Sequence, residues 1–182
     1  LGSGSKIIDG YTNVDKFDYY KPQITHDLEV TPYPFDDSSV DEILLSHVLE
    51  HIGQDPNVFN NIIKEFYRIC KNQAVIDIRV PHPRHDDFIS DPTHVRPITI
   101  LGLQLYDKEL NKKWEEGKFS NTPLAFIHNV NFKILNVIYI VDEKYEKLLK
   151  EKKISENDIK EYALKYNNVI KEMKIKWSVI KA

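Results

Sequence analysis

The sequence predicts an α/β fold with a largely parallel sheet, on three observations. Short extended segments alternate with helical ones along 182 residues, a length that fits one domain around a single core. The helix after Asp55 carries apolar residues at helical spacing, so one face must pack on a sheet or another helix. Polar residues cluster just beyond the ends of the predicted strands, where ligands bind in open parallel sheets.

Taken in order, Thr12–Val14 and Ile24–His26 are short extended segments, each followed by an aspartate, Asp15 and Asp27. Pro32, Pro34 and the Asp36–Ser39 cluster mark a loop before "VDEILLS", Val40–Ser46, a buried strand. Asp55-Pro56 opens a helix with an N-cap acid and a proline in the first turn. Val58, Phe59, Ile62, Ile63, Phe66, Ile69 and Cys70 line its packed face, which makes Cys70 an inert core thiol. "AVIDIRV", Ala74–Val80, is the next strand, stopped by Pro81.

Beyond it, Ile98–Leu110 reads as one helix and Lys112–Asn129 mostly as loop. "NFKILNVIYIV", Asn131–Val141, is nearly continuous in apolar residues and reads as a buried strand. Glu143–Lys153 is a charged, solvated helix, and Ser155 with Asp158 forms a capping box at the start of another. "KIKWSVIK", Lys174–Lys181, alternates as a closing strand. The expected organisation is a single domain over 1–182, with a helical insertion over 143–172 between the last two strands. That insertion is expected to serve as a lid or as the contact surface of a homodimer.

Composition narrows the function classes. A formal charge of −3 gives no general attraction to phosphate backbones, so nucleic acid is not expected as a partner. One cysteine excludes an intrachain disulfide and a cysteine-built zinc site. No apolar run approaches the roughly 18 residues of a membrane span, and no signal peptide opens the chain, so the expected location is the cytoplasm. Leu1-Gly2-Ser3-Gly4 lacks a starting methionine and reads as the end of a longer segment or as a flexible linker.

The densest chemistry lies in "HPRHDDFISDPTHVR", His82–Arg96, with three of the chain's seven histidines. A histidine suits proton transfer near neutral pH, and a neighbouring carboxylate can orient it. His85 and His94 are the leading bases, with His51 from "HVLEH" on an opposite wall. Asp86, Asp87 and Asp91 are the orienting acids, while Arg84, Arg96 and His82 can grip an acceptor. A metal is the rival: His82, His85 and His94, or Asp86 with Asp87, offer ligands to zinc or magnesium. Their spacing matches no metal motif, and no metal is assigned. "SDPTH" can equally be a turn that caps the next helix.

Read together, "LGSG", "NVD", "HDLE", "VDEILLSHVLEHI" and "RVPHP" resemble the class I S-adenosylmethionine-dependent methyltransferases over roughly residues 1–100. The resemblance implies a Rossmann-like three-layer sandwich, with a mostly parallel seven-stranded sheet and an antiparallel last strand. It implies S-adenosyl-L-methionine as cofactor, S-adenosyl-L-homocysteine as product, and a small-molecule polar acceptor methylated on oxygen or nitrogen. Gly2, Ser3 and Gly4 would let the backbone approach the cofactor. Asp15 would accept the ribose hydroxyls with Lys16 beside it, Asp27 and Leu28 would meet the adenine, and Ser46 and His47 would line the methionine part. The first helix is abbreviated, because only eleven residues separate Gly4 from Asp15. Two other readings stay open: a metal-dependent hydrolase using the 82–96 segment, and a cofactor-binding partner subunit without catalysis.

Overall fold

The computed structural model describes residues 1–181. Two very short strands, β1 (Val14–Asp15) and β2 (Ile24–Thr25), pair in parallel, with Val14 opposite Ile24. The main sheet holds β3 (Val40–Ser46), β4 (Cys70–Pro81), β5 (Phe132–Val141) and β6 (Ile170–Val179) in the order β3-β4-β6-β5. β3 and β4 run parallel, whereas β6 is antiparallel to both of its neighbours.

The seven-stranded sheet expected from the sequence is therefore corrected to four strands plus two. Leu1–Ser3 link the two sheets through hydrogen bonds without forming a strand. The Leu1 amino group donates to the Leu44 carbonyl at 2.9 Å, and the Ser3 N–H donates to the Val14 carbonyl at 3.1 Å. The β3 edge facing β1 thus borders an open groove of about 850 Å3.

Helix α1 (Pro56–Ile69) forms as its sequence requires: the Asp55 carboxylate accepts from the Asn57 N–H at 2.7 Å, and Pro56 occupies the first turn. Phe59, Ile62, Ile63, Phe66 and Ile69 are buried in the core with Ile43 and Leu45 of β3, Ile76 and Ile78 of β4, and Ile175 and Trp177 of β6. Trp177 stacks on Phe132 at 4.0 Å between ring centroids.

Helix α2 (Asp86–Ile89) is a single turn after β4. The helix expected over Ile98–Leu110 is two, α3 (Ile100–Gln104) and α4 (Lys108–Glu116). Asp107 divides them, because its carboxylate accepts from the N–H groups of Glu109 and Leu110 and so starts a new helix. The stretch expected to be mostly loop contains the end of α4 and the short α5 (Leu124–Ile127).

β5 is not a buried strand. It pairs only with β6, and as the edge it leaves Leu135, Ile138 and Tyr139 about half exposed. Helices α6 (Glu143–Lys150) and α7 (Glu156–Lys165) stand between β5 and β6 on a small core of Ile159, Val169 and Ile170. Ser155 and Asp158 make the reciprocal capping box that starts α7. No helix among the described residues is long and apolar enough to cross a membrane.

Candidate functional site

The glycine turn is held by the acid beyond β1. The Gly4 N–H donates to Asp15 Oδ2 at 2.8 Å, and the Phe17 N–H donates to Asp15 Oδ1 at 3.0 Å. Each oxygen keeps lone-pair capacity for a ligand hydroxyl. Gly2 and Gly4 both have positive φ, +63° and +49°, which glycine adopts without the penalty a Cβ would bring. A Cβ on Gly2 would lie 2.5 Å from Val48 Cγ2, whereas one on Gly4 would meet nothing within 4 Å. Space is open over Gly4, and the buried Ser3 hydroxyl beside it has no hydrogen-bond partner. These features fit a polar ligand on the turn.

Asp27 lies two residues beyond Thr25, the β2 partner of Asp15. Lys16 Nζ pairs with Asp27 Oδ2 at 2.8 Å, and the Glu29 N–H donates to Asp27 Oδ1. Partial burial by itself raises the Asp27 pKa, but Lys16 and the Glu29 N–H outweigh it and hold the carboxyl below its ordinary range. Leu28 is a core residue whose carbonyl accepts from the Tyr33 hydroxyl. The groove along β3 is lined by Gly2, Ser3, Gly4, Ser46 and His47 but not by Asp15, Lys16, Asp27 or Leu28. The expected cofactor residues thus form two groups, which meet at the Gly4–Asp15 hydrogen bond.

After β3 the chain turns sharply at His47, whose φ is +55°, into a 3-10 turn over Leu49–His51. His47 Nδ1 is 3.4 Å from Glu50 Oε1, and its Nε2 is 3.1 Å from Glu172 Oε2. Glu50 is the leading cause that raises the His47 pKa, with Glu172 adding and partial burial opposing. The end of the 82–96 segment is clamped onto this turn: the N–H groups of Val95 and Arg96 both donate to the Glu50 carbonyl. The Arg96 guanidinium donates to the Gly53 carbonyl and lies over the Phe59 ring at 4.2 Å.

The histidine-rich segment divides in two. Its first half faces the insertion. Arg84 donates to the Ala163 carbonyl and Asn167 Oδ1, and the Asp86 N–H donates to Asn168 Oδ1. His85 is buried, accepts from the Asp87 N–H through Nδ1, and sets Nε2 3.3 Å from Asp142 Oδ2. His82 Nδ1 accepts from the Arg84 N–H, and burial lowers the His82 pKa, helped by Arg84. The second half faces the turn after β3: the rings of His94 and His51 meet edge to face at 4.5 Å, and Phe88 stacks on His94 at 5.2 Å.

Sequence reasoning missed Glu50 and Glu172. Glu50 is fully buried, with no hydrogen bond to either carboxylate oxygen. Its signal was a lone acid within the apolar run "HVLEHI". Nothing local to Glu172 marked it, since only strand pairing brings it opposite Pro81 and beside Arg79.

Residues 12–76 match the family model of a methyltransferase domain. No curated protein sequence matches the chain. Among solved structures, the chain is similar to a SAM-dependent methyltransferase from Archaeoglobus fulgidus, with 19% identity and a TM-score of 0.57, over 91% of this chain and 74% of that one. It is similar at a lower level to the YcgJ protein from Bacillus subtilis, with 12% identity and a TM-score of 0.49, over 93% of this chain and 81% of that one. The first likeness shows the fold, and the family match covers the stretch from β1 into β4. The chain thus carries a methyltransferase-domain match over residues 12–76 and is similar in fold to a SAM-dependent methyltransferase.

Proposed function

We propose that the protein is a cytoplasmic enzyme that transfers a methyl group from S-adenosyl-L-methionine to an oxygen or nitrogen of a small polar acceptor. The carrying observation is the glycine turn fastened to Asp15, with the orphaned Ser3 hydroxyl and open space over Gly4 beside it. The cofactor supplies an electrophilic methyl on a sulfonium, so the chain must bind, align and manage one proton. Asp15 accepts the ribose hydroxyls, and Asp27 beyond β2 serves the adenine end. Ser46 at the end of β3 and His47 just beyond it are assigned to the methionine end.

We assign the acceptor side to the wall shared by His51 and His94, whose rings are in contact. His85, Asp86 and Arg84 have partners in or beside the insertion and are assigned to positioning that wall. Arg96 is likewise engaged with Gly53 and Phe59.

Calorimetric titration with S-adenosyl-L-homocysteine tests the cofactor half. Asp15→Ala should weaken binding by about 10- to 100-fold, the scale of losing hydrogen bonds to a charged acceptor. An unchanged affinity would remove Asp15 from the site. For the acceptor half, His51→Ala and His94→Ala should each lower turnover by about 10²- to 10⁴-fold while sparing that affinity. Full activity in both would end the assignment.

A further inference from the structure

We infer that Glu50, His51 and His94 form a binding site for one divalent transition-metal ion of the zinc class. One ligand atom from each of the three lies within 4.8 Å of the others, the only such group of three or more among the described residues. Two imidazoles and a carboxylate are a three-ligand set that zinc accepts, leaving a fourth position for water or substrate.

Three observations point to an ion rather than a chance cluster. First, Glu50 is fully buried and neither carboxylate oxygen has a hydrogen-bond partner; its one cationic neighbour, His47, stands off at 3.4 Å. Burying a carboxylate this way is costly unless a charge compensates it. Second, the surrounding hydrogen bonds fix the ring tautomers. The Phe88 carbonyl can only accept, so His94 Nδ1 at 2.8 Å carries a proton, and in the neutral ring Nε2, 3.8 Å from Asp91 Oδ2, holds the lone pair. The Thr93 hydroxyl donates to Asp91 Oδ1 at 2.6 Å and is 3.0 Å from His51 Nδ1. His51 Nδ1–H is then the donor to that hydroxyl, and Nε2 is again left over. Histidine ligands of metals are oriented in this way, with the other ring nitrogen donating to a carbonyl or carboxylate-linked group.

Third, the cluster joins two separated segments that are already pinned together, through the Glu50 carbonyl and the N–H groups of Val95 and Arg96. Tetrahedral ligand atoms about 2.0–2.2 Å from zinc lie roughly 3.4 Å apart, so closure on the ion takes movement on the order of 1 Å. An acceptor oxygen on the fourth position would be acidified there. That use rests on the methyl-transfer reading; the binding of the ion does not.

The test is zinc stoichiometry on the full chain after dialysis, with cobalt(II) substitution read by its visible absorption. The expected result is one zinc per chain and tetrahedral cobalt bands. Glu50→Gln, which keeps the side chain's size, and His94→Ala should each weaken zinc binding at least 100-fold. Thr93→Val, which removes the hydroxyl that holds His51 Nδ1 and donates to Asp91, should cost about 10- to 100-fold. Far-UV circular dichroism checks that each variant is folded, and should His94→Ala fail to fold, Glu50→Gln decides. No zinc on the folded parent, or equal affinity in Glu50→Gln, overturns the site. Titration of the same parent with S-adenosyl-L-homocysteine separates the two readings: a parent that binds S-adenosyl-L-homocysteine but takes up no added zinc sinks the metal site alone, and one that takes up zinc but binds no S-adenosyl-L-homocysteine sinks the methyl-transfer reading alone.

Discussion

Gly2 and Gly4 look alike in "LGSG", yet the structure gives them different tasks. Both need positive φ, which costs a non-glycine residue about 1 kcal/mol. Only at Gly2 does an added methyl collide, with Val48 of the core. Gly2→Ala should therefore destabilise the protein by about 1–3 kcal/mol more than Gly4→Ala, the range for overpacking. Urea unfolding of the two variants measures the difference, and equal midpoints would show that Val48 simply moves aside. Asp15 and His94 could be named as candidates from the sequence, Asp15 for its place after a strand and His94 for its chemical type in a histidine-rich segment. Glu50 could not, because a sequence does not show that a carboxylate will be sealed from water without a partner.

At the scale of elements, α1 could be read almost residue by residue. Its cap, its proline and its buried stripe are local properties that any packing surface would exploit. α3 and α4 could not be separated, because the apolar spacing runs through Tyr106 while the Asp107 cap restarts the helix. The α6–α7 insertion has its own small core and reaches the 82–96 segment through Arg84 and Asp86. Val141 pairs with Ile170, and the Asp142 N–H donates to the Val169 carbonyl, so residues 143–168 can be replaced by a two-residue Asn-Gly turn. The expected outcome is a folded protein with unchanged S-adenosyl-L-homocysteine affinity, faster proteolysis within residues 82–96 and reduced turnover. Unaltered turnover would separate the insertion from the acceptor wall.

For the molecule as a whole, exposed apolar side chains occur both within residues 7–30 and on the β5 edge. Leu135, Ile138 and Tyr139 of β5, with Leu164 and Tyr166 at the end of α7, are each at least 48% exposed. The unpaired edge of β5 is the place where a second copy of the chain would add, and the oligomeric state tests it. Sedimentation velocity should find a dimer that a Leu135→Lys, Ile138→Lys double variant dissociates; a monomer at all concentrations would return these residues to ordinary surface. The sequence by itself determined the α/β class, the order of the strands, the α1 core face and the glycine turn with its acid, since these depend on local spacing and on residue chemistry. Only the tertiary structure decided that the strands divide into four and two, that β5 is an edge, that His85 turns to the insertion, and that Glu50 meets His51 and His94. Those outcomes depend on which distant backbone groups find partners and which side chains lose water, and neither is encoded in any one stretch of the chain.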